Sequence, residues 1–260
     1  MNPPAGLPAP SRRIARLARG LAWASLALAA AGGVGELIAG LGYRAGWWGV
    51  GPGIRGLGIS AMVAGAGVLL ALAALPLAAR ARSRGALAAA AAGLLIAATV
   101  SIPPFHLWRQ ASRLPAIHDI STDTEDPPRF AAVLALRQGA PNGVEFRAEV
   151  AAQQKAAYPD IAPALLDVPP ERAFAMAQRA AQASGWEIVA ASPAALRIEA
   201  TATTRLFGFK DDVVIRITPA PQGSRVDLRS VSRVGRGDLG ANAARIRAFV
   251  RRLDAERRRP

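Results

Sequence analysis

Three long apolar runs near the start of this chain leave few folds open to it. Residues 21–41 (LAWASLALAAAGGVGELIAGL) hold one charge, Glu36, and residues 57–79 hold none and are interrupted only by Pro76. Residues 86–102 form a third run, closed by Pro103 and Pro104. A helix needs ~20 apolar residues to cross the hydrocarbon of a bilayer. Backbone groups that meet no water there must bond within their own segment, so such runs are helical. The pattern predicts three transmembrane helices, with a buried soluble helix as the alternative for the short third run.

Arginines set the direction of the crossings, because short basic flanks stay in the cytoplasm. Arg12, Arg13, Arg16 and Arg19 precede the first run, and Arg80, Arg82 and Arg84 separate the second from the third. The loop between the first two runs carries only Arg44 and Arg55, together with Trp47 and Trp48 as interface anchors. Alternation and charge agree: N-terminus cytoplasmic, three crossings, C-terminal region outside. The expected location is a bacterial inner membrane with a periplasmic C-terminal domain. The first run also has the basic start and small residues near Ala29 and Ala31 of a signal peptide, but it stays apolar well past that site. Within the runs, Ala27, Ala31, Gly35 and Ala39, and likewise Ala89, Gly93 and Ala97, recur every four residues, a spacing that lets helices approach closely. Glu36 is an intramembrane acid near the outer end of its run.

Net charge +14 invites a nucleic-acid reading. The excess sits elsewhere than on a folded surface, however. Residues 103–244 hold 16 basic and 15 acidic side chains, whereas the last 16 residues hold seven arginines and two acids. No nucleic-acid partner is expected. The absence of cysteine excludes disulfides and thiolate metal sites. The string GPGIRG (residues 51–56) follows no strand and opens into an apolar run, so it cannot work as a dinucleotide loop.

The organisation read from the chain is a basic start (1–20), a membrane region (21–102), a linker (103–114), an exported domain (115–253) and a basic tail (254–260). Within the exported domain, a helix from Pro169-Pro170 to about Ser184 buries Ala173, Phe174, Ala177 and Ala181. Alternation marks strands at 186–191, 196–204, 213–217 and 225–233, and a short one is expected at 161–167. A last helix, from about Asp238 to Leu253, buries Ile246, Phe249, Val250 and Leu253 at helical spacing. The order β-α-β-β-β-β-α predicts an α+β domain, an antiparallel sheet with helices covering one face. By analogy with lipid-binding folds, sheet and last helix could enclose an apolar cavity.

The motifs HDISTD, EDPPRF, AAYPDI, FGFKDDVVIR and RSVSRVGRGDLGANAARIR resemble the bacterial and plastid family known as domain of unknown function 1499, over about residues 115–253. An aromatic is more usual in that family where Leu206 stands, and a serine where Gly237 stands. The resemblance implies membrane association. It brings no reaction, so it assigns no catalytic residue.

Three constellations could carry chemistry. His118 and Asp119 lead an acidic run with Asp123, Glu125 and Asp126. It matches no calcium loop and fits a polar collar of turn and cap residues better. Asp211 and Asp212 follow Lys210, yet neighbours on a strand point to opposite faces and would not share a site. Ser230, Ser232, Arg233, Asp238, Asn242 and Arg245 join a strand end to a helix start, either as a satisfied polar network or as an anion site such as a phospholipid headgroup would use. Asp238 is the expected helix cap. No nucleophile elbow, zinc-protease helix or phosphate loop occurs, and neither metal nor cofactor is expected. The reading is a non-enzymatic envelope module whose exported domain binds a small amphiphilic or anionic ligand or a protein partner, alongside the bilayer itself. The alternatives are a membrane-surface hydrolase using His118 and nearby aspartates, and a scaffold that acts, and oligomerises, through its spans.

Overall fold

A computed structural model describes residues 12–258, so the first eleven residues of the basic start and the last two of the basic tail lie outside the described part. The chain divides between Arg109 and Gln110 into two compact units. The first contains three helices, α1 (Arg12–Arg44), α2 (Val50–Arg80) and α3 (Arg84–Ala111). All three are long and apolar enough to cross a membrane.

Small residues hold these helices together, but not in the stripe that strict four-residue spacing suggests. Ala27 and Ala31 are exposed. The buried stripe of α1 runs through Ala18, Ala22, Ser25, Ala29 and Gly32 to Ala39, which is buried as expected, and that of α2 includes Ser60, Ala64, Gly67, Ala71, Ala74 and Ala78. Both alternate steps of three and four, the spacing that keeps one seam facing a neighbour at a shallow crossing angle. Ala89, Gly93 and Ala97 of α3 are buried as expected. The approach is close. A Cβ on Gly32 would lie 2.8 Å from the Ala64 Cβ, and one on Gly93 would lie 3.0 Å from the Leu26 amide nitrogen. The buried Ser25 hydroxyl spans the seam and donates to the Gly67 carbonyl at 2.9 Å.

Pro103 and Pro104 do not end α3, which runs on for seven residues beyond them. In water an interior proline costs a helix ~3 kcal/mol or more. Long apolar helices of the kind that can cross a membrane tolerate it where the freed groups are satisfied locally. The carbonyls freed are those of Thr99 and Val100; one turn earlier, the Thr99 and Ser101 hydroxyls donate to the carbonyls of Leu95 and Ala97, at 2.8 and 2.7 Å.

The second unit is α+β. Its strands are β1 (Asp119–Ser121), β2 (Ala164–Leu166), β3 (Glu187–Ser192), β4 (Arg197–Thr203), β5 (Lys210–Ala220) and β6 (Gly223–Ser232). All pairings are antiparallel, in the order β1-β6-β5-β4-β3, with β2 sharing the outer edge of β6. The helices are α4 (Ala148–Ala157), α5 (Pro170–Ala183) and α6 (Ala241–Arg257), and a 3-10 helix spans Ala132–Arg137. The strands β3–β6, the short β2 within 161–167, and the helices α5 and α6 match the sequence expectation. β1 and α4 were not anticipated. β1 is three residues long, too short for alternation to show, and α4 has almost no apolar stripe to betray it.

Turn chemistry sets the long β5–β6 hairpin. Gly223 has φ +122°, and a Cβ there would run into the Leu166 carbonyl, so only glycine lets β2 dock beside the turn. The outer edge of β6 is fully used. β1 pairs with its residues 229–231, β2 with 224–226, and between them Leu228 exchanges hydrogen bonds with the backbone amide and hydroxyl of Thr122. β1 is closed in turn by Gln154 of α4, whose side-chain amide accepts from the Ser121 amide and donates to its carbonyl. A side chain thus takes the place of a further strand.

α5 and α6 cover one sheet face. Phe174, Met176, Ile198, Val213, Ile215, Leu228, Ile246, Phe249 and Leu253 form a single core there. Trp186 stacks on Phe249 with ring centroids 5.5 Å apart. The space where an apolar cavity was anticipated is filled by Ile246, Phe249 and Leu253, each no more than 1% exposed. Aromatic and branched side chains at those positions pack the groove instead of lining it.

Candidate functional site

Alternation along β5 and β6 sends Val213, Ile215, Val226 and Leu228 to the helices, so the intervening residues must face the other way. Those residues are Asp212, Val214 and Arg216 on β5 and Arg225, Asp227, Arg229 and Val231 on β6. Charges of opposite sign thus stand on a sheet face that is itself covered, by residues 122–147. Nearly all are paired.

At one end Arg216 and Arg225 both reach Asp123 and Asp227, and Arg216 also reaches Asp126. In the middle Arg229 makes a two-pronged pair with Asp119, at 3.0 and 2.6 Å, with both side chains buried. The same guanidinium donates to the carbonyls of Pro128 and Val144 and lies 5.3 Å from the ring centres of both Phe130 and Phe146. At the other end Asp212 accepts from Arg137 at 2.6 Å, from Arg233 at 2.8 Å through each oxygen, and from the Thr201 hydroxyl. Glu199 is almost wholly buried and accepts from the amides of Ala131 and Val133, so a strand carboxylate caps the 3-10 helix.

The predicted site residues fall into three places. Asp211 and Asp212 separate to opposite faces, as the strand requires. On the helix side, Asp211 pairs with Arg245. Arg245 also reaches the Ser230 hydroxyl, Ser230 donates to Asn242, and Asn242 donates to the Ser232 hydroxyl and the His118 carbonyl. That cluster is closed and buried, so it reads as a satisfied network. Asp238 sits just before α6 and accepts from the amides of Gly240 and Asn242, the cap expected of it. Burial, opposed by those two amides, holds its carboxyl above the ordinary value. α6 itself begins at Ala241, not at Asp238. Arg233 joins Asp212 on the far face and does not meet Ser232, Asn242 or Arg245.

His118 is placed differently. It lines a cleft of 440 Å³ with Ile117, Asp119, Asn142, Glu145, Arg147, Glu149, Gln153 and Arg236. Its Nδ1 is 3.4 Å from the Arg236 carbonyl, and no carboxylate among the described residues bonds to its ring. The Asp119 carboxylate faces Arg229 instead. A second cleft of 380 Å³ lies against Arg229, Phe130, Phe146 and Arg129. The Asp119–Arg229 pair is therefore wall to both, with Asp119 in one and Arg229 in the other. Among the described residues, neither Arg147 nor Arg236 forms an ion pair, and neither do Glu145 and Glu149.

The acidic run after His118 is a collar. Asp123 accepts from the amides of Glu125 and Asp126, Thr122 bonds Asp227 and Leu228, and Glu125 meets Lys155. Burial opposes the Asp123 charge, yet those amides and the two arginines hold its carboxyl below the ordinary value. These acids are occupied by protein donors. The residues the sequence reading passed over are Arg229, Arg137, Glu199, Asn142, Arg147 and Arg236. For Arg229 a signal existed: RVDLRSVSR alternates charge with apolar residues along a strand, the pattern of a face whose charges pair.

The model of the family described as protein of unknown function, DUF1499, matches residues 119–253. Comparison with curated proteins returned no match, and neither did comparison with solved structures.

Arg229→Met should leave Asp119 buried and alone, at a cost of ~3–5 kcal/mol. A lowered denaturation midpoint of the purified protein would show it, and adding Asp119→Leu should recover much of the loss. Asp212 carries a pH prediction. Burial works against its charge, but bonds from Arg233, Thr201 and Arg137 prevail and lower its pKa from the ordinary 3.8. Its contribution to stability is complete above that value and is lost as pH falls through the lower folded-state pKa. Asp212→Asn should lower stability at neutral pH and flatten the acid limb of a stability–pH curve.

Proposed function

This chain belongs to the DUF1499 family, and we propose that it is a membrane-anchored, non-enzymatic binding module of the bacterial envelope. In this reading the three helices cross the inner membrane with the N-terminus in the cytoplasm, and the α+β domain lies on the periplasmic side. The domain takes a small anionic or zwitterionic molecule in the cleft beside His118. One observation carries the reading: among the described residues Arg147 and Arg236 line a cleft without an ion-pair partner, while acids and arginines deeper in the domain are committed to one another. Guanidinium groups suit carboxylate or phosphate, and Glu145 and Glu149 can accept from an ammonium or hydroxyl on the same molecule.

A hydrolase is less well supported. His118 is oriented by a backbone carbonyl, whereas Asp119, Asp211 and Asp212 are each tied to arginine. A general base gains most from a carboxylate that fixes its ring and steadies its charge.

Thermal unfolding of the purified protein against a panel of phosphate monoesters, carboxylates and zwitterionic amino compounds tests the cleft. At least one class should raise the midpoint, and Arg147→Gln with Arg236→Gln should abolish the rise without shifting the ligand-free midpoint by more than a degree or two. A panel without effect, or an equal effect on the double variant, overturns the assignment. Orientation is checked separately. Alkaline phosphatase fused to the C-terminus should be active in a bacterial host, and an inactive, well-expressed fusion would reverse the topology.

A further inference from the structure

A recess of 540 Å³ opens between α2 and α3, within the helical unit. On α2 it is lined by Gly58, Ala61 and Gly65, with Met62 at the rim, four positions on one helical face. On α3 its wall includes Phe105 and Trp108. Two features make it a slot for a chain. The α2 side lacks bulk, since glycine and alanine leave the backbone bare. The α3 side stands out, with Phe105 54% and Trp108 68% exposed. Its lining is mostly apolar: the Ser101 hydroxyl is bonded to the Ala97 carbonyl, Pro104 has no amide proton, and the indole of Trp108 is the one further polar side chain among the lining residues.

The recess lies at the end of the bundle that carries Trp47, Trp48 and Trp108, and indole side chains mark headgroup level in spanning proteins. Arg109 follows Trp108 directly, and its guanidinium lies 5.9 Å from the ring centre of Phe105. An apolar slot therefore ends at a fixed cation. We propose that the recess holds one acyl chain of an anionic phospholipid, whose phosphate meets Arg109.

The shape decides against a helix from a second copy. Helices associate in a bilayer where small residues on both sides let backbones approach, and here the two protruding rings hold a partner backbone away from Gly58 and Gly65. A detergent tail or a free headgroup would satisfy only half of the arrangement, the slot or the cation.

Native mass spectrometry of the full chain, released from nanodiscs containing equal phosphatidylglycerol and phosphatidylethanolamine, tests this. The wild type should retain one phospholipid with about tenfold preference for phosphatidylglycerol. Ala61→Leu with Gly65→Leu should fill the slot and abolish retention of both lipids, and Arg109→Gln should keep a bound lipid but lose the preference. Trp108→Ala removes a wall without adding bulk. It should weaken retention several-fold, and it decides the matter if the filled variant does not fold. Unchanged retention in the filled variant, or in Trp108→Ala where the filled variant does not fold, overturns the proposal. So does a dimer that the filled variant splits without loss of lipid, or displacement of the lipid by inorganic phosphate alone.

Discussion

The buried pairing of charge on the second sheet face is the constraint on which the α+β domain depends. Removing an arginine from water costs several kcal/mol unless the protein replaces its hydration in full. Arg229 shows what full replacement requires: a two-pronged carboxylate, two backbone carbonyls and an aromatic ring within 5.3 Å on each of two sides. No regular helix or strand could deliver that set, because its own carbonyls are already used. Residues 122–147 remain largely irregular for this reason. Their free carbonyls at Pro128, Leu136, Asn142 and Val144 are the acceptors for Arg229, Arg233 and Arg137. A largely irregular segment is therefore ordered by the arginines that its carbonyls meet.

The unit of three long apolar helices solves a different problem with similar economy. Hydrocarbon offers no hydrophobic reward for bringing helices together, so packing must come from close backbone approach. Gly32 against Ala64, Gly35 against Ser60, and Gly93 against Ser25 and Leu26 are points of close approach. The steps of three and four between the buried small residues carry the seam along the helix. That spacing also accounts for the exposure of Ala27 and Ala31, which fall off the seam although they are small.

Much of the fold was legible because its apolar pattern is strong. The three N-terminal helices show as long apolar runs, and the strands β3–β6 and the helices α5 and α6 repeat hydrophobic residues at the period of their element. What escaped was built from polar contacts. β1 owes its place to Asp119 and to Gln154, and the 3-10 helix begins where Glu199, 66 residues away from Val133, caps it. A one-dimensional pattern cannot show which distant carboxylate meets which amide. The site followed the same rule. The network of Asp211, Ser230, Ser232, Asn242 and Arg245 was nearly readable from strand parity and helix spacing. The cleft was not, since it joins His118 and Asp119 to Arg147 on the approach to α4 and Arg236 in the loop after β6.

The adjacent pair Asp211 and Asp212 shows how such charges specify structure. Asp211 serves the helix side through Arg245, and Asp212 serves the covered side through Arg137 and Arg233. Slipping β5 by one residue against its neighbours would exchange their faces. In either direction one carboxylate takes the other's place and the second leaves its partners: one way Asp212 moves to the buried position of Val213 and Arg245 loses its acid, the other way Arg137 and Arg233 lose theirs. Val213 and Ile215 would move with them, so apolar and ionic terms would be violated together. A hydrophobic strand alone tolerates some slippage where both faces are covered, because either set of side chains finds apolar company. Opposite charges placed on both faces remove that freedom. The ion pairs of this domain are better understood as what fixes its register than as a reserve of stability.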